Sequence, residues 1–360
     1  MSQSPNPSFQ LGYRPVLDGL RSIAILPVML THAGVRQIGG GNFGVDIFFV
    51  LSGFLITGKL LEEWRRDGRI RLKNFYWRRG VRLLPALFLL LAAWIVYVLC
   101  FDPKAGILFS LYALFYAANW VRAYHLADNP GLGHTWSLSI EEQFYLIWPP
   151  VLIMLLKSGR SRHVVFRLLV VGVIAASLWR AYLWQRGADI ARLYNGTDTR
   201  ADGLLVGCAL AFALYSGFIK KWSYLLAAPC LLIVLSVIVF DIPKRFQYRD
   251  GGWTILAVMI AGLIWSLVSS GRKEVVHMML ESAPLVWIGK ISYGLYLWHF
   301  PLFNIVGSDR PWPRYTIFTV KIAGTFAVAA LSYYLVEQPI QRWAKRRDRE
   351  QMFALPEIDR

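Results

Sequence analysis

Long apolar runs separated by short polar loops occupy most of this chain of 360 residues. Most runs approach the roughly 20 residues that a helix needs to cross the hydrocarbon core of a bilayer. The pattern therefore predicts an all-α, polytopic membrane helix bundle. The candidate runs lie at about 16–35, 43–61, 83–101, 106–121, 136–156, 164–185, 200–216, 223–240, 253–270, 284–305 and 316–338.

The distribution of Lys and Arg indicates how many runs cross, because short cytoplasmic loops collect basic residues. If 106–121 does not span, 24 of the 39 basic residues lie in segments on one side, ten lie on the other and five are embedded. If it did span, the basic segment KSGRSRHVVFR and the tail RWAKRRDR would both be outside. We therefore predict about ten transmembrane helices, both termini cytoplasmic, and a run 106–121 that is re-entrant or interfacial.

Composition narrows the class of protein further. With 56% hydrophobic residues and 15 Trp, the chain is too apolar for a soluble domain. The net charge of +17 is explained by topology and by attraction to membrane lipid headgroups, so it requires no nucleic-acid partner. The three cysteines lie singly and show no metal-type spacing. We divide the chain into a cytoplasmic N-terminal segment 1–15, a membrane domain 16–338 and a basic cytoplasmic tail 339–360.

The first apolar run contains two ionisable residues, Arg21 and His32, eleven positions apart. Eleven residues make about three helical turns, so both side chains lie on one helix face, about 16.5 Å apart along the axis. Ionisable groups inside a bilayer are costly and commonly functional. In the predicted topology Arg21 lies in the inner half of the helix and His32 lies near its outer end.

Several other polar residues share the outer level of His32 in this topology. They are Asp46, Glu141, Asp202 and His299. A histidine near neutral pH can take a proton from an attacking hydroxyl, and a carboxylate bonded to its other nitrogen orients the ring. We therefore predict that His32 is catalytic, with Asp46 as its preferred partner and Glu141 as the second. The alternative is that these polar groups only pair with one another and join the helices.

The cytoplasmic loop from 59 to 82 contains nine basic residues, and its last two arginines directly precede an apolar helix. These are Arg79 and Arg82, whose spacing of three puts them on one helix face. Arginine forks match phosphate oxygens bidentately, so the pair could hold a phosphorylated ligand. Lipid headgroups are an equal alternative on composition alone.

Five strings occur in a fixed order along the chain. They are LDGLR with Arg21 and the following His32, then YWRRGVRLLPA, WSLSIEEQFY, ISYGLYLWHFP and YYLVEQP. Together these strings resemble the acyltransferase 3 family of integral-membrane O-acyltransferases, from Leu17 to Pro339. A single string would be weak support, whereas five in the family's order are specific.

The resemblance implies transfer of an acyl group, commonly acetyl, from cytoplasmic acyl-CoA to a hydroxyl of a carbohydrate or glycoside, lipid-linked or free. It implies a multi-pass protein of the bacterial inner membrane that needs no metal. His32 would act as the general base, either for direct attack on the thioester or through an acyl-histidine. The residues assigned to binding are Arg21, Arg79 and Arg82 for the donor, and Trp136, Tyr145 and His299 for the acceptor.

Two other classes of protein stay open from the sequence. A proton-coupled secondary transporter of an anionic solute would use His32, Asp46 and Glu141 as a proton relay. The chain shows no paired repeats of the kind that many transporters have. A catalytically silent membrane scaffold is the second class. Within the resembled family we expect the stand-alone form, without a fused esterase-like domain, so the acceptor would have to reach the membrane core.

Overall fold

The computed structural model describes residues 10–103, 107–127, 131–219, 226–269, 274–307 and 311–353, with side chains described as far as Arg347. Within these ranges the chain forms helices joined by short loops and contains no strand. The prediction of an all-α fold is confirmed. The predicted N-terminal segment and basic tail lie partly outside the described residues, at 1–9 and 354–360.

Seventeen α-helices lie within these ranges. The first nine are α1 (Pro15–His32), α2 (Gly44–Asp67), α3 (Leu72–Phe101), α4 (Leu108–Leu114), α5 (Ala118–Ala123), α6 (Trp136–Lys157), α7 (Arg162–Gln185), α8 (Ile190–Asn195) and α9 (Thr197–Ser216). The others are α10 (Ala227–Phe240), α11 (Lys244–Tyr248), α12 (Gly252–Ser269), α13 (Val275–Leu280), α14 (Ala283–Lys290), α15 (Ser292–Val306), α16 (Arg314–Ser332) and α17 (Gln338–Phe353). A π-helical turn, Tyr333–Glu337, joins the last two.

Among the residues that the structure describes, five helical stretches are long and apolar enough to cross a membrane. They are Gly41–Asp67, Leu72–Phe101, Arg162–Gln185, Gly252–Ser269 and Arg314–Arg347. The helices α1, α6 and α9 also have the length of a span, but each contains ionisable residues that reduce its apolar character. The chain is therefore a helical membrane protein, while ten crossings and cytoplasmic termini stay predictions.

The run 106–121 does not form one continuous helix. It is divided between α4 and α5, and the backbone at Tyr116 between them has a left-handed φ of 52°. The seven residues of α4 rise only about 10 Å. The hydrocarbon core is about 30 Å thick, so neither short helix crosses it alone. This break agrees with the distribution of basic residues, which argued against a span here.

Helices α2 and α9 pack at backbone contact. A Cβ atom built on Gly53 would lie 1.9 Å from the Leu204 carbonyl oxygen, and one on Gly207 would lie 2.1 Å from the Val50 carbonyl oxygen. Glycine allows membrane helices to approach this closely because it has no side chain. The contact aligns the polar first turns of both helices beside the site described next.

Candidate active site

A cleft of about 950 Å³ lies between α1, α2, α3, α6 and α15. Its basic lining residues are Arg21, Lys59, Arg79 and Arg82, and we call it the basic cleft. An adjoining cleft of about 1510 Å³ shares three of these cations and adds Lys290 and Lys345. Such a concentration of positive charge suits a ligand that carries several phosphate oxygens.

Two of the four cations in the basic cleft already have carboxylate partners. Arg79 Nη2 lies 2.5 Å from Glu142 Oε1, and its guanidinium also covers the Tyr145 ring, 3.1 Å from the centroid. Arg21 Nη1 donates to Asp18 Oδ1 at 2.7 Å. The guanidinium of Arg79 is therefore already bound by side chains of the cleft wall.

The other two cations, Lys59 and Arg82, are exposed to the cleft. Neither forms a hydrogen bond or ion pair with any residue in the described ranges. The two are therefore the cations available to an incoming anion. The sequence predicted that Arg79 and Arg82 are two equivalent phosphate-binding arginines. In the structure Arg79 binds Glu142, and the cations without a carboxylate partner are Arg82 and Lys59. Lys59 was missed because it counted only as one charge among many in its loop.

At the other end of α1, His32 lies against His299 of α15. Its Nδ1 is 3.1 Å from His299 Nε2, and the two rings stack with centroids 5.2 Å apart. His299 Nδ1 lies 2.7 Å from the Tyr296 carbonyl oxygen. A carbonyl can only accept, so His299 carries its proton on Nδ1, and its Nε2 accepts from the Nδ1–H of His32. This arrangement leaves Nε2 of His32 unprotonated.

A third ring, His134, packs edge-on against His299 with centroids 5.3 Å apart, and its Nε2 donates to the Leu297 carbonyl oxygen at 3.1 Å. His134 and His299 are fully buried, whereas His32 is only half-buried. Despite this grouping, no set of three or more His, Cys, Asp or Glu residues within the described ranges is arranged to hold a metal ion. His32 is thus the most accessible of the three rings.

Two cavities meet at His32. One, of about 550 Å³, we call the histidine cavity; it is lined by Val28, His32, Asn42, Val45, Arg122, His134, Trp136, Tyr194, Tyr296 and Phe300. The other, of about 500 Å³, we call the lysine cavity; it is lined by His32, Phe300, Phe303, Asn304, Gly307 and Lys321. The histidine cavity shares Val45 and Tyr296 with the basic cleft. Val45 and Tyr296 therefore separate the histidine cavity from the basic cleft, and the two spaces are neighbours.

The structure does not bring His32 together with either carboxylate expected from the sequence. Asp46 Oδ1 accepts from Arg200 Nη2 at 2.7 Å, and Glu141 Oε1 accepts from Ser52 Oγ at 2.7 Å. Glu141 lines the basic cleft rather than the histidine cavity. The partner of His32 is a second histidine, and the catalytic assignment of the two carboxylates stays a prediction.

The rotation of α2 about its own axis explains why Asp46 does not meet His32. Asp46 lies at the expected end of α2, but it faces α9, where Arg200 also lies 3.7 Å from the Trp253 ring centroid. Asp202, another expected carboxylate of this level, pairs with Arg180 of α7 at 2.9 Å. These buried ion pairs join α2, α7 and α9, which is the alternative that the sequence left open.

The residues expected to contact the acceptor are distributed over three places. Trp136 lines the histidine cavity, Tyr145 lies in the basic cleft beneath Arg79, and His299 lies behind His32. Arg122, which also lines the histidine cavity, was missed. It follows the run 106–121, predicted to be re-entrant or interfacial, where an arginine is common and gives no separate signal.

The chain belongs to the Acyltransferase domain family, whose sequence profile matches residues 14–336. The match contains every residue that lines the basic cleft and both cavities at His32. It confirms the resemblance given by the motifs and places the chain in a class of enzymes, the acyltransferases.

The chain is similar to several curated bacterial proteins. It is 35% identical to the peptidoglycan O-acetyltransferase OatA of Listeria monocytogenes over 353 residues, which cover 92% of this chain and 56% of that protein. It is 35% identical to O-acetyltransferase OatA of Staphylococcus aureus, and the match covers 92% of this chain and 57% of that protein. It is 36% identical to YrhL of Bacillus subtilis, with 91% of this chain and 55% of that protein covered. The chain thus spans about half the length of these relatives. No solved structure matches it.

Proposed function

We propose that the chain is a membrane O-acyltransferase that moves an acyl group, acetyl by analogy with its relatives, from acyl-CoA to a hydroxyl of a glycan or glycoside. The observation that carries the proposal is the position of His32, where a cavity beyond the basic cleft meets the lysine cavity. Donor and acceptor can therefore approach one imidazole from different sides. A relative named for O-acetyl transfer to peptidoglycan supports a glycan acceptor.

The donor would place its phosphates on Lys59 and Arg82, with Arg21 beside them. Hydrogen bonds between ionised partners are roughly twice as strong as neutral ones, so these cations supply much of the binding energy. The thioester arm would then extend past Val45 and Tyr296 into the histidine cavity. Arg21 and His32 are about 16.5 Å apart along α1. An extended pantetheine arm is of comparable length.

At the reaction centre, Nε2 of His32 takes the proton of the acceptor hydroxyl while the oxygen attacks the thioester carbonyl carbon. The carbon–sulfur bond of the tetrahedral intermediate then breaks, and the leaving thiolate takes the proton from the imidazolium. The products are an ester and a free thiol, and His32 returns to its neutral form. His299 is a positioning residue, because its Nε2 holds the His32 Nδ1–H in the tautomer that leaves the base free.

The two predicted carboxylates have supporting roles in this scheme. Asp46 would hold α2 in place through Arg200, and Glu141 would shape the wall of the basic cleft with Ser52. A covalent acyl-histidine is the alternative chemical route. It would show as ping-pong kinetics and a burst of thiol in the absence of acceptor.

We further propose that the basic cleft opens at the cytoplasmic face of a bacterial inner membrane, with ten crossings and both termini inside. The basic loop from 59 to 82 and the basic tail support this orientation. His32 would then lie near the opposite face, where a lipid-linked or free acceptor can approach. The donor's thioester would thus be delivered from one side of the membrane and used near the other.

The proposal is tested with the full chain in proteoliposomes that contain labelled acetyl-CoA and a glycan acceptor. We expect acceptor-dependent release of free thiol and labelled ester, both abolished by His32→Ala and unchanged by His125→Ala, a control in an exposed loop. A transporter would move solute without releasing thiol. Labelled ester that forms only from a different acetyl donor, with acetyl-CoA left intact, would overturn the donor assignment.

A further inference from the structure

Lys321 differs from the other basic residues embedded in the apolar runs. Arg21, Arg180 and Arg200 each form an ion pair with an aspartate, at 2.7, 2.9 and 2.7 Å respectively. Lys290 is exposed. Lys321 of α16 is only 5% exposed, and its ammonium makes no hydrogen bond or ion pair within the part of the chain that the structure describes. A lysine whose side chain is this largely enclosed commonly has an anionic or hydrogen-bonding partner.

The surroundings of Lys321 show what a compensating group would meet. Its ammonium lies 5.7 Å from the Phe303 ring centroid, and it lines the lysine cavity together with His32. The cavity therefore has a proposed general base on one wall and a buried cation on another.

The lysine cavity lies on the side of His32 away from the donor path. It shares only His32 and Phe300 with the histidine cavity, and it shares no lining residue with the basic cleft. A thioester arm that enters past Val45 and Tyr296 reaches His32 without passing Lys321. The ammonium is therefore placed to contact the acceptor.

We propose that the lysine cavity is the acceptor subsite and that Lys321 binds an anionic oxygen group, a phosphate or a carboxylate, carried near the hydroxyl that is acylated. The proposal rests on the proposed acyltransferase function and adds the chemical class of the acceptor. An anionic acceptor would give the Lys321 ammonium a partner that the described residues do not supply, and it would hold its hydroxyl beside Nε2 of His32. Neutral glycosides would bind the same cavity without this ion pair.

The test compares acceptors that differ only in charge: a neutral methyl glycoside, the corresponding uronate and the corresponding sugar phosphate. Lys321→Met should raise KM for the anionic acceptors at least tenfold and leave kcat, and all constants for the neutral glycoside, nearly unchanged. Lys321→Arg should restore most of the loss, and Lys244→Met, at an exposed lysine of α11, should have no effect. The uronate and phosphate arms identify which anion is preferred.

Two results would overturn the proposal: a wild-type chain without preference for either anionic acceptor, or a Lys321→Met variant that weakens charged and neutral acceptors equally. A binding measurement separates this failure from failure of the proposed function. Glucuronate should raise the thermal midpoint of the wild-type chain but not of Lys321→Met, even if neither transfers an acyl group. Equal stabilisation of both proteins would show that Lys321 binds no anion, since the basic cleft is the same in each.

Discussion

The basic cleft and the histidine site, formed by His32, His134 and His299, lie toward opposite ends of α1. Their ionisable side chains differ in exposure and in hydrogen bonding. In the cleft, Lys59 and Arg82 are exposed and form no ion pair with any described residue. At the histidine site, His299 is buried and held by a backbone carbonyl, and His32 is held by His299. Exposed cations without a carboxylate partner suit the capture of a charged ligand, whereas rings fixed in one tautomer suit proton transfer.

The comparison also shows that an imidazole can be oriented without a carboxylate. A neutral histidine can fill that position if its own proton is fixed elsewhere, as the Tyr296 carbonyl fixes that of His299. A neutral partner stabilises the imidazolium less than a carboxylate would. His32 should therefore be a weaker base than a histidine with an acidic partner, but it avoids placing a charge in the membrane interior.

The largest effect is expected for Asp46→Asn, which tests whether the histidine site uses a carboxylate. Loss of one partner from a buried ion pair typically costs about 3–5 kcal/mol, because the Arg200 charge is left uncompensated. We expect a large fall in the unfolding free energy, measured by denaturant in detergent, but nearly normal kcat for the protein that remains folded. A normal stability combined with a loss of kcat above about 100-fold would instead restore Asp46 to the catalytic role.

A second prediction concerns His299. Replacing it by Phe removes the acceptor for the His32 Nδ1–H, and we expect kcat to fall about 10–100-fold, by analogy with partners that orient metal-bound histidines. His299→Gln keeps a side-chain carbonyl and should recover part of kcat. The pH profile of kcat should shift in the Phe variant, since the imidazole environment changes. If Phe and Gln reduce activity equally and the profile is unmoved, His299 only fills space.

At the other end of α1, Arg82→Gln should act on donor binding alone. A hydrogen bond to a charged group contributes about 1.5–3 kcal/mol, so KM for acyl-CoA should rise about tenfold or more while kcat changes little. The effect should weaken as salt is added, because the cleft is open to solvent. The matched control is Arg69→Gln, at an exposed arginine of the same basic loop that lines neither cleft. A fall in kcat without a change in KM would contradict the division between the two ends.

Sequence alone was sufficient for the helical class, the family and the separation of Arg21 and His32 along one helix. Arg21 and His32 do lie at the basic and histidine ends of one helix, as a rise of 1.5 Å per residue requires. The rotation of each helix about its own axis, which decides what Asp46 and Glu141 face, was not predictable. A membrane helix is apolar on its lipid face and often on its packed face, so periodicity does not indicate which neighbour a polar residue meets. Contacts such as Arg200 to Asp46 depend on close glycine packing between helices that are distant in sequence.

The smallest effect is expected for Asp189→Asn, which provides an exposed counterpart to the Asp46 pair. His125 Nε2 lies 2.6 Å from Asp189 Oδ2, and this hydrogen bond lowers the pKa of the Asp189 carboxyl. A lowered folded-state pKa adds stability above the ordinary value near 3.9, and the gain is lost as the pH falls through the folded value. Both side chains are more than half exposed, so screening limits the contribution to about 0.5 kcal/mol or less. Denaturant unfolding at pH 6 should therefore show a small loss for the variant, and the loss should become smaller as the pH falls below the ordinary value. A loss at pH 6 as large as that of Asp46→Asn would mean that burial does not separate structural from surface charges in this chain.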